Sequence, residues 1–308
     1  MPELPEVETQ VRDLQILVGH KILDLSTDTP KAFRPSFAQF RRRIRGQKIL
    51  AIERRAKFLI FTLGSELNHN HAFDSNLTHH LGGGLKGARQ NFGGGLTDAG
   101  KNLKMVVHFR MTGHFLLAKN FTPLEKAVRH FFQLSGGIVL QFSDIRKFGT
   151  LELLEKNAIS TSLAKLGAEP LDPAFTLKKF RVIFQNKKGN LKAFLLDQKN
   201  IVGIGNIYAD EICFAARLHP ASEIQNLSDQ DFKNLYREIR KQLKKGIKNR
   251  GTTIGEYVDT AGEHGSNQHS LMAYKKHGQP CQICGTTMQK IKIVQRTTSF
   301  CPCCQVKK

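Results

Sequence analysis

The chain has no tryptophan and no long apolar run, and these two absences limit what it can bind. None of its 308 residues is tryptophan, a side chain that often anchors basic amphipathic helices at a membrane surface. No apolar segment is long enough to cross a bilayer, and the amino terminus has no hydrophobic core of the kind found in signal peptides. We therefore expect no membrane partner and a cytoplasmic protein.

Acidic residues are scarce, and none follows Glu263. The chain carries 47 Lys and Arg against 26 Asp and Glu, a formal net charge of +21. Such an excess is typical of proteins that bind a polyanion, most simply nucleic acid. The hydrophobic content of 40% still allows a substantial core, and the length allows two domains of ordinary size or one with a small module.

Cysteines are few, and their spacing favours metal binding over disulfides. Six are present, and disulfides are rare in the cytoplasm. Four of them form two Cys-x2-Cys pairs separated by sixteen residues, namely Cys281, Cys284, Cys301 and Cys304. Two such pairs are typical of a closed tetrahedral site, so we expect one structural zinc ion. Cys303 lies inside the second pair as an alternative ligand, and Cys213 lies in a helical pattern and is expected to be buried.

Period-two alternation predicts a β-rich amino-terminal half. The predicted strands are residues 21–25, 49–54, 58–63, 105–109, 114–118, 131–134, 138–142 and 150–154. Gly136 and Gly137 are expected to form a hairpin turn, and residues 5–18 an amphipathic helix. One helix followed by many short strands is typical of a β-sandwich with an attached helix.

The carboxyl-terminal half is instead predicted to be helical. The predicted helices are residues 160–165, 176–185, 191–196, 205–216, 228–248 and 252–258. Residues 290–296 alternate between the cysteine pairs and predict a β-hairpin finger. We expect an α+β multidomain fold with three units: a sandwich domain at 1–156, a helical DNA-binding domain at 160–265 and a zinc finger at 275–308.

Residues 64–102 fit poorly into this pattern. They contain Gly82-Gly83-Gly84 and Gly93-Gly94-Gly95 among many polar residues, and a structureless loop of this length is unusual inside a compact domain. We expect a flexible, glycine-rich insertion at a hairpin tip. Its histidines are irregularly spaced and have few carboxylate neighbours, so no metal site is expected there; they are His69, His71, His79 and His80.

The first residues combine an amine and a carboxylate. If Met1 is removed, the chain begins with the secondary amine of Pro2, followed by Glu3. A free α-amine has a pKa of about 8, against about 10.4 for lysine, so more of it is neutral near pH 7. A proline amine forms a cationic iminium with an aldehyde or a sugar C1′, and an adjacent carboxylate can move protons. The alternative is a helix start with Pro5 in its first turn. An apolar stripe supports that alternative: Val7, Val11, Leu14 and Val18.

Three further segments suggest contacts with phosphate. Gly203, Gly205 and Asn206 lie at the opening of a predicted helix, where backbone N–H groups bind phosphate well. No strand precedes them, so a dinucleotide site and a nucleotide cofactor are not expected, and a helix–turns–helix element that grips a DNA phosphate fits better. Arg296 would lie on the hairpin finger. Lys57 lies beside a strand start, where sequence alone indicates ordinary surface charge.

These motifs occur in one order that resembles the formamidopyrimidine-DNA glycosylase family, over almost all of the chain outside the insertion. The segments that carry the resemblance are Pro2-Glu3-Leu4-Pro5-Glu6-Val7-Glu8-Thr9, residues 54–59, Met111-Thr112-Gly113, residues 144–149, residues 197–211 and the four-cysteine finger. The resemblance implies an amino-terminal helix with a β-sandwich, a helix–two-turns–helix domain and a zinc β-hairpin finger.

The resemblance also implies a bifunctional base-excision enzyme for oxidised purines such as 8-oxoguanine and formamidopyrimidines. Pro2 would attack C1′ of the flipped nucleotide, and Glu3 would protonate the sugar ring oxygen. Successive β- and δ-eliminations would then cut both sides of the lesion. Glu6 would fix the amino-terminal turn. Three residues would hold phosphates: Lys57, Arg296 and Asn206. The first two of these are counted with the catalytic residues.

By the same resemblance, apolar wedges fill the gap that the flipped base leaves. Met111 and Phe148 would be the wedges, with Arg146 probing the orphaned base. Plain core packing is the alternative for both apolar residues. Arg110 and Lys147 flank them, which favours DNA contact. The partner would be double-stranded DNA with an oxidised base or abasic site, bound by a monomer in the nucleoid of a bacterium.

The sequence departs from the family pattern in two places. Arg110 replaces a small residue before the wedge methionine. Residues 260–277 align with the loop that covers the extruded purine, but the aromatic expected after Gly265 is absent, and Tyr274-Lys275-Lys276 replaces Tyr-Gly-Arg. The changes in the loop bear on lesion preference more than on chemistry, whereas Arg110 would add a phosphate contact or alter the turn.

Two other functions stay open at this point. A sibling endonuclease VIII-like enzyme would prefer oxidised pyrimidines, although Leu4 and Val7-Glu8-Thr9 favour the purine branch. A non-catalytic DNA-binding protein of the same fold is the second, and Pro2, Glu3 and Lys57 argue against it.

Overall fold

A computed structural model describes residues 1–64, 102–155, 157–158 and 160–308. The insertion predicted at 64–102, with its histidines, lies outside the described residues except for its two ends. Those ends, Gly64 and Asn102, adjoin antiparallel neighbours, because Leu63 pairs with Leu103.

The first helix, α1, spans Leu4–Asp13 and is shorter than predicted. A capping box of Glu3 and Glu6 begins it, and Pro5 lies in its first turn, where a missing N–H costs nothing. The chain then tightens into a 3₁₀ turn, Leu14–Leu17. Val18, predicted to continue the apolar stripe, is instead 41% exposed. The helix start is therefore real, and its helical continuation to residue 18 was wrong.

Two sheets pack face to face in the amino-terminal half and confirm the predicted sandwich. The strands are β1 Ile22–Thr27, β2 Phe33–Arg34, β3 Lys48–Arg55, β4 Phe58–Gly64, β5 Leu103–His108, β6 His114–Ala118, β7 Val128–Leu134, β8 Val139–Ser143 and β9 Thr150–Glu155. The first sheet has the order β1-β7-β8-β6 and the second β2-β9-β5-β4-β3. Gly136 and Gly137, both at positive φ, form the expected turn between β7 and β8. Edge-to-face aromatic pairs fill the core, for example Phe61 against Phe115.

One helix of the sandwich domain was not predicted. Helix α2, Phe37–Ile44, buries Phe40 and Ile44 and directs its arginines outward. The eight-residue segment carries three consecutive arginines, which obscure the two-residue apolar face in the sequence. Its Arg41 pairs with Asp24 of β1.

Helices dominate the second half, as predicted. They are α3 Thr161–Ala164, α4 Leu177–Phe184, α5 Leu191–Leu196, α6 Asn206–Ala215 and α7 Asp229–Lys248. Cys213 of α6 is fully buried, as expected.

The helix predicted at 252–258 is absent, because backbone groups of this segment form hydrogen bonds with residues elsewhere in the fold. Thr252 N–H donates to Glu6 and Thr253 N–H to Gln268. The Thr253 hydroxyl donates to Tyr257 O, and Gly251 at φ 88° ends the preceding helical path. A helical pattern was therefore overridden by long-range hydrogen bonds.

The finger hairpin consists of β10 Gln289–Ile293 and β11 Arg296–Phe300. It packs on α6, where the buried Lys192–Asp210 ion pair also reaches Thr298. The α+β class is thus confirmed, whereas the domain limits 1–156, 160–265 and 275–308 stay predictions. No helix in the described part of the chain is long and apolar enough to cross a membrane.

Candidate active site

The carboxylate of Glu3 lies at the amino terminus of α6. It accepts hydrogen bonds from the backbone N–H groups of Gly205 at 2.6 Å, Ile207 at 2.9 Å and Tyr208 at 3.3 Å. A helix amino terminus favours a negative charge. Glu3 thus occupies three of the amides at the opening of α6, and the phosphate contact expected at this opening stays a prediction.

Glycine is required at position 205 for this contact. A Cβ there would lie 2.4 Å from the carboxyl carbon of Glu3. Next to it, Leu4 N–H donates to Gly203 O at 2.9 Å. The turns between α5 and α6 therefore hold the first turn of α1 in place.

Pro2 lies at the wall of a cavity of about 280 Å³. The lining residues are Met1, Pro2, Glu6, Met111, Thr112, Gly113, Arg146, Ile207, Thr252, Ile254, Gly255, Glu256, Tyr257 and Tyr274. Sequence reasoning missed the cluster from Ile254 to Tyr257, because it placed those residues in a helix. The cavity joins residues from both halves of the chain.

Glu6 is buried beside this cavity and accepts three hydrogen bonds. The donors are Glu3 N–H at 2.7 Å, Thr252 N–H at 2.8 Å and Tyr208 OH at 3.0 Å. Burial, with the nearby charge of Glu3, raises the pKa of Glu6 to about 7 despite these donors. Glu6 therefore changes charge near neutral pH, a property that its sequence position does not reveal.

Lys57 is also buried, contrary to the surface charge that sequence alone indicated. Its Nζ donates to Ile204 O at 2.9 Å, and burial lowers its pKa, although the charges of Glu3 and Glu6 act in the opposite sense. Arg296 is close enough to contribute to the same shift. Lys57 is therefore a buried lysine at the junction of the two halves.

Lys57 follows a tight turn that the carboxylate of Glu169 stabilises. Ala56 has φ 55°, and its N–H donates to Glu169 at 2.5 Å. Glu169 also pairs with Arg54 and Arg55. The carboxylate from the second half of the chain thus fixes the turn before β4.

The expected wedges lie on two turns at the same end of the sandwich. Phe148 is 52% exposed, which excludes core packing, and Met111 is half-buried in the cavity wall. The Arg146 guanidinium lies 4.7 Å from the centre of the Phe148 ring. Arg110 and Lys147 both have positive φ and exposed side chains.

Asp144 joins these two wedge turns. It accepts the Thr112 hydroxyl from one turn and the N–H groups of Arg146 and Gly149 from the other. Asp144 is 1% exposed, so it acts as a buried link that sets the spacing of the turns.

Asn206 contacts the finger beside Arg296, where α6 packs on β11. Asn206 Nδ2 donates to Thr297 O at 3.3 Å, and the Arg296 side chain is exposed at the start of β11. Glu211, farther along α6, accepts the N–H groups of Met272 and Tyr274. Helix α6 therefore positions both the finger and the segment that lines the cavity.

The four predicted zinc ligands lie together. Their sulfur atoms all lie within 4.8 Å of one another, with Cys281 to Cys304 at 3.9 Å and Cys284 to Cys301 at 3.5 Å. Tetrahedral Zn–S bonds of about 2.3 Å require sulfur separations of about 3.8 Å, so the set fits zinc. Cys303 is exposed and is not part of this cluster.

Three family models together match most of the chain. The formamidopyrimidine-DNA glycosylase N-terminal domain matches residues 1–151, and the H2TH domain of that glycosylase matches residues 166–257. A zinc finger found in FPG and IleRS matches residues 278–306. This last match confirms one structural zinc ion as the cofactor.

Full-length relatives and solved structures agree with these models. Formamidopyrimidine-DNA glycosylases of Streptococcus pyogenes and Listeria innocua are 35% and 36% identical, with 100% and 99% of this chain and 100% of each relative covered. Lactococcus lactis Fpg in complex with abasic-site DNA is 31% identical, with a TM-score of 0.81 over 99% of this chain and 100% of that one. A mutant Lactococcus lactis Fpg in complex with Fapy-dG containing DNA is 32% identical, with a TM-score of 0.82 over 99% of this chain and 100% of that one. The chain belongs to the formamidopyrimidine-DNA glycosylase family.

Proposed function

We propose that this chain excises oxidised purines from DNA and cleaves the resulting abasic site, with Pro2 as the nucleophile. Family membership makes it a base-excision DNA glycosylase with lyase activity. The observation that carries the residue assignment is the juxtaposition of Pro2, on the cavity wall, with the Glu3 carboxylate fixed on α6. The nucleophile then faces the space that a flipped nucleotide would enter, and the next residue in the chain supplies the proton carrier.

In the first step, the Pro2 nitrogen forms a bond to C1′ while the bond from C1′ to the base breaks. This step needs removal of Met1, since a peptide nitrogen is not nucleophilic. Burial lowers the pKa of the amino group at this end of the chain, and the same burial would favour a neutral Pro2 amine. Glu3 takes the proton that Pro2 releases and passes it to the sugar ring oxygen, which opens the ring and leaves an iminium.

The iminium then acidifies the C2′ proton. Loss of that proton expels the 3′ phosphate by β-elimination, and a second elimination expels the 5′ phosphate. Hydrolysis of the remaining adduct restores the Pro2 amine. Lys57 and Arg296 hold phosphates beside the lesion, and Asn206 adds a neutral donor from α6.

DNA distortion is assigned to the two wedge turns. Met111 and Phe148 replace the extruded nucleotide in the stack, and Arg146 contacts the orphaned base. Arg110 and Lys147 contribute charge at the same surface. The exposed position of Phe148, with Arg146 already beside its ring, supports this assignment.

The finger serves structure rather than chemistry. When bound, zinc cross-links four thiolates in a closed site with no position for substrate. The cysteines thereby hold β11 and Arg296 against α6. The chain would act as a monomer on duplex DNA in the cytoplasm of a bacterium, at the nucleoid.

Borohydride trapping tests the proposal. The chain without Met1 should form a covalent complex with a duplex that contains 8-oxoguanine opposite cytosine, and peptide mass spectrometry should map it to Pro2. The same chain with Met1 retained is the matched control and should bind DNA without trapping. Trapping on thymine glycol but not on 8-oxoguanine would favour the pyrimidine alternative. Tight binding with no adduct on either lesion would favour the non-catalytic one.

A further inference from the structure

A run of buried hydrogen bonds joins the segment after α7 to the carboxyl group of Glu6. Asn267 is 3% exposed, and its Nδ2 donates to Thr252 Oγ1 at 2.8 Å and to Tyr208 OH at 3.4 Å. Thr252 Oγ1 lies 3.2 Å from the same Tyr208 oxygen, and Tyr208 OH donates to Glu6 Oε1 at 3.0 Å. These four side chains form one connected set, the Asn267 network.

The donors of the Asn267 network all point toward Glu6. Tyr208 has one hydroxyl proton and gives it to Glu6, so its oxygen can only accept from Thr252 and Asn267. The Glu6 side chain is the acceptor in each of its own three bonds, from Tyr208 OH, Thr252 N–H and Glu3 N–H. Such donors favour the ionised carboxylate, and burial opposes it.

The orientation of the Asn267 amide is fixed from its other side. Asn249 Nδ2 donates to Asn267 Oδ1 at 3.1 Å, and Ser270 Oγ lies 3.2 Å from the same oxygen. The amide NH₂ must therefore face Thr252 and Tyr208. Tyr208 itself is held against α7, where a Cβ on Gly246 would meet its hydroxyl at 2.2 Å.

We infer that Asn267 is a positioning residue that acts through Thr252 and Tyr208 to hold ionised Glu6 as the acceptor for the Glu3 N–H. It thereby fixes the turn that carries Pro2. This inference rests on the proposed role of Pro2. Asn267 lies just after Gly265, where the sequence lacks the aromatic residue expected from the family.

Other groups that face Glu6 define the background of this interaction. Glu3 and Lys57 contribute charges of opposite sign, and Tyr257 OH donates to the Glu6 backbone carbonyl at 3.3 Å. The pKa of Glu6, about 7, lies in the range where a weaker donor at Tyr208 changes the charge of Glu6 measurably.

A carbon-13 NMR titration of labelled glutamate carboxyl groups tests the network without requiring activity. The Glu6 resonance is identified by its loss in Glu6→Gln. In Asn267→Ala the Glu6 pKa should rise by up to about one unit, because Tyr208 loses a donor and its hydroxyl becomes a weaker donor to Glu6. Asn267→Asp should raise it further, because it adds a like charge. An unchanged Glu6 pKa in both variants would overturn the inference.

Gln268→Ala is the matched control. Gln268 lies in the same segment and bonds Thr253 N–H and Gly265 O, outside the Asn267 network. This variant should leave the Glu6 pKa unchanged. A shift as large as that of Asn267→Ala would show that any disturbance of the segment has the same effect, and would overturn the inference.

The rate of borohydride trapping on an abasic-site duplex, measured against pH, supplies the catalytic readout. In Asn267→Ala the acidic limb of the trapping rate should move to higher pH by the same amount as the Glu6 pKa, with the affinity for the duplex unchanged. A shifted Glu6 pKa with an unshifted rate profile would refute the positioning role. Absence of any Pro2 adduct in the native chain would instead refute the proposed function, and the NMR result would still decide the network.

Discussion

The two sides of the cavity are built differently. On the side of α1 and α6, Glu3, Glu6 and Lys57 are buried, and each has hydrogen-bond partners from distant parts of the chain. On the side of the wedge turns, Arg146 and Phe148 are exposed and lie on turns supported by backbone contacts to Asp144. Groups proposed for chemistry are therefore fixed before DNA arrives, whereas groups proposed for distortion keep open surface for the duplex.

This contrast follows from what each side must do. Proton transfer requires positions held to a fraction of an ångström, which buried hydrogen bonds supply. An intercalating side chain instead gains its stabilisation from the bases it contacts, so it must remain accessible in the free protein. The effects of substitutions on the two sides should accordingly differ in size and in kind.

The largest expected effect is at Glu3. Glu3→Gln should slow base excision by about 10³-fold, because an amide cannot carry the proton from Pro2 to the sugar. Single-turnover excision of 8-oxoguanine measures it. Binding to a duplex with an abasic-site analogue should stay within about threefold, since Glu3 contacts α6. Full excision by Glu3→Gln would contradict the assignment of Glu3 as proton carrier, and with it the contrast between the buried and the exposed side of the cavity.

Glu6, on the buried side, should make the free energy of unfolding depend on pH. Its folded pKa, about 7, lies above the value of 4.5 for a free carboxyl, so the folded state binds the proton more tightly. The resulting stabilisation is present at low pH and is lost as pH rises toward and through 7. The free energy of unfolding of the native chain, relative to Glu6→Gln, should fall by about 2.5 kcal/mol between pH 5 and pH 8. Urea denaturation measures this difference, and a constant difference across that range would contradict the raised pKa.

The strands of the sandwich could be predicted because alternation along one strand is a local signal. β6 was predicted to the residue, and β4 to within one residue. The same reasoning produced a false helix at 252–258, where the N–H of Thr252 bonds to Glu6, 246 residues away in sequence. It also left α2 unassigned, because the arginines hide Phe40 and Ile44.

The site was less predictable than the fold, for the same reason. Pro2, Glu3 and the four cysteines could be named from spacing, since adjacent or periodic residues carry the signal. The burial of Lys57 and the capture of Glu3 by Gly205 depend on packing between the two halves of the chain. No spacing rule encodes such contacts, so the sequence indicated an exposed lysine and free amides.

The zinc finger is a third element of the site, and its cysteines should support DNA binding through structure and not through chemistry. Cys281→Ser should lose zinc and weaken DNA binding by about 10- to 100-fold, because Arg296 would no longer be held beside α6. Cys303→Ser is the control and should keep both, since Cys303 lies outside the cluster. Metal analysis and binding titrations check the pair. Normal zinc content in Cys281→Ser, or zinc loss in Cys303→Ser, would change the ligand set.

The smallest effect is expected at Phe148, on the exposed side. Phe148→Ala should slow excision from a paired duplex by about five- to tenfold, roughly 1 kcal/mol, because the gap left by the flipped base loses its filler. Cleavage of an abasic site in single-stranded DNA, where no base pair must open, should not change.

Two phenylalanines of the same domain make the comparison quantitative. Phe148 is 52% exposed and Phe142 is 1% exposed. Phe142→Ala should lower the free energy of unfolding by about 3–5 kcal/mol through a core cavity, whereas Phe148→Ala should leave it within about 0.5 kcal/mol. A large loss of stability in Phe148→Ala would mean that the ring packs as structure. The wedge turns would then be preorganised like the buried side, and the distinction between fixed chemistry and open DNA surface would fail.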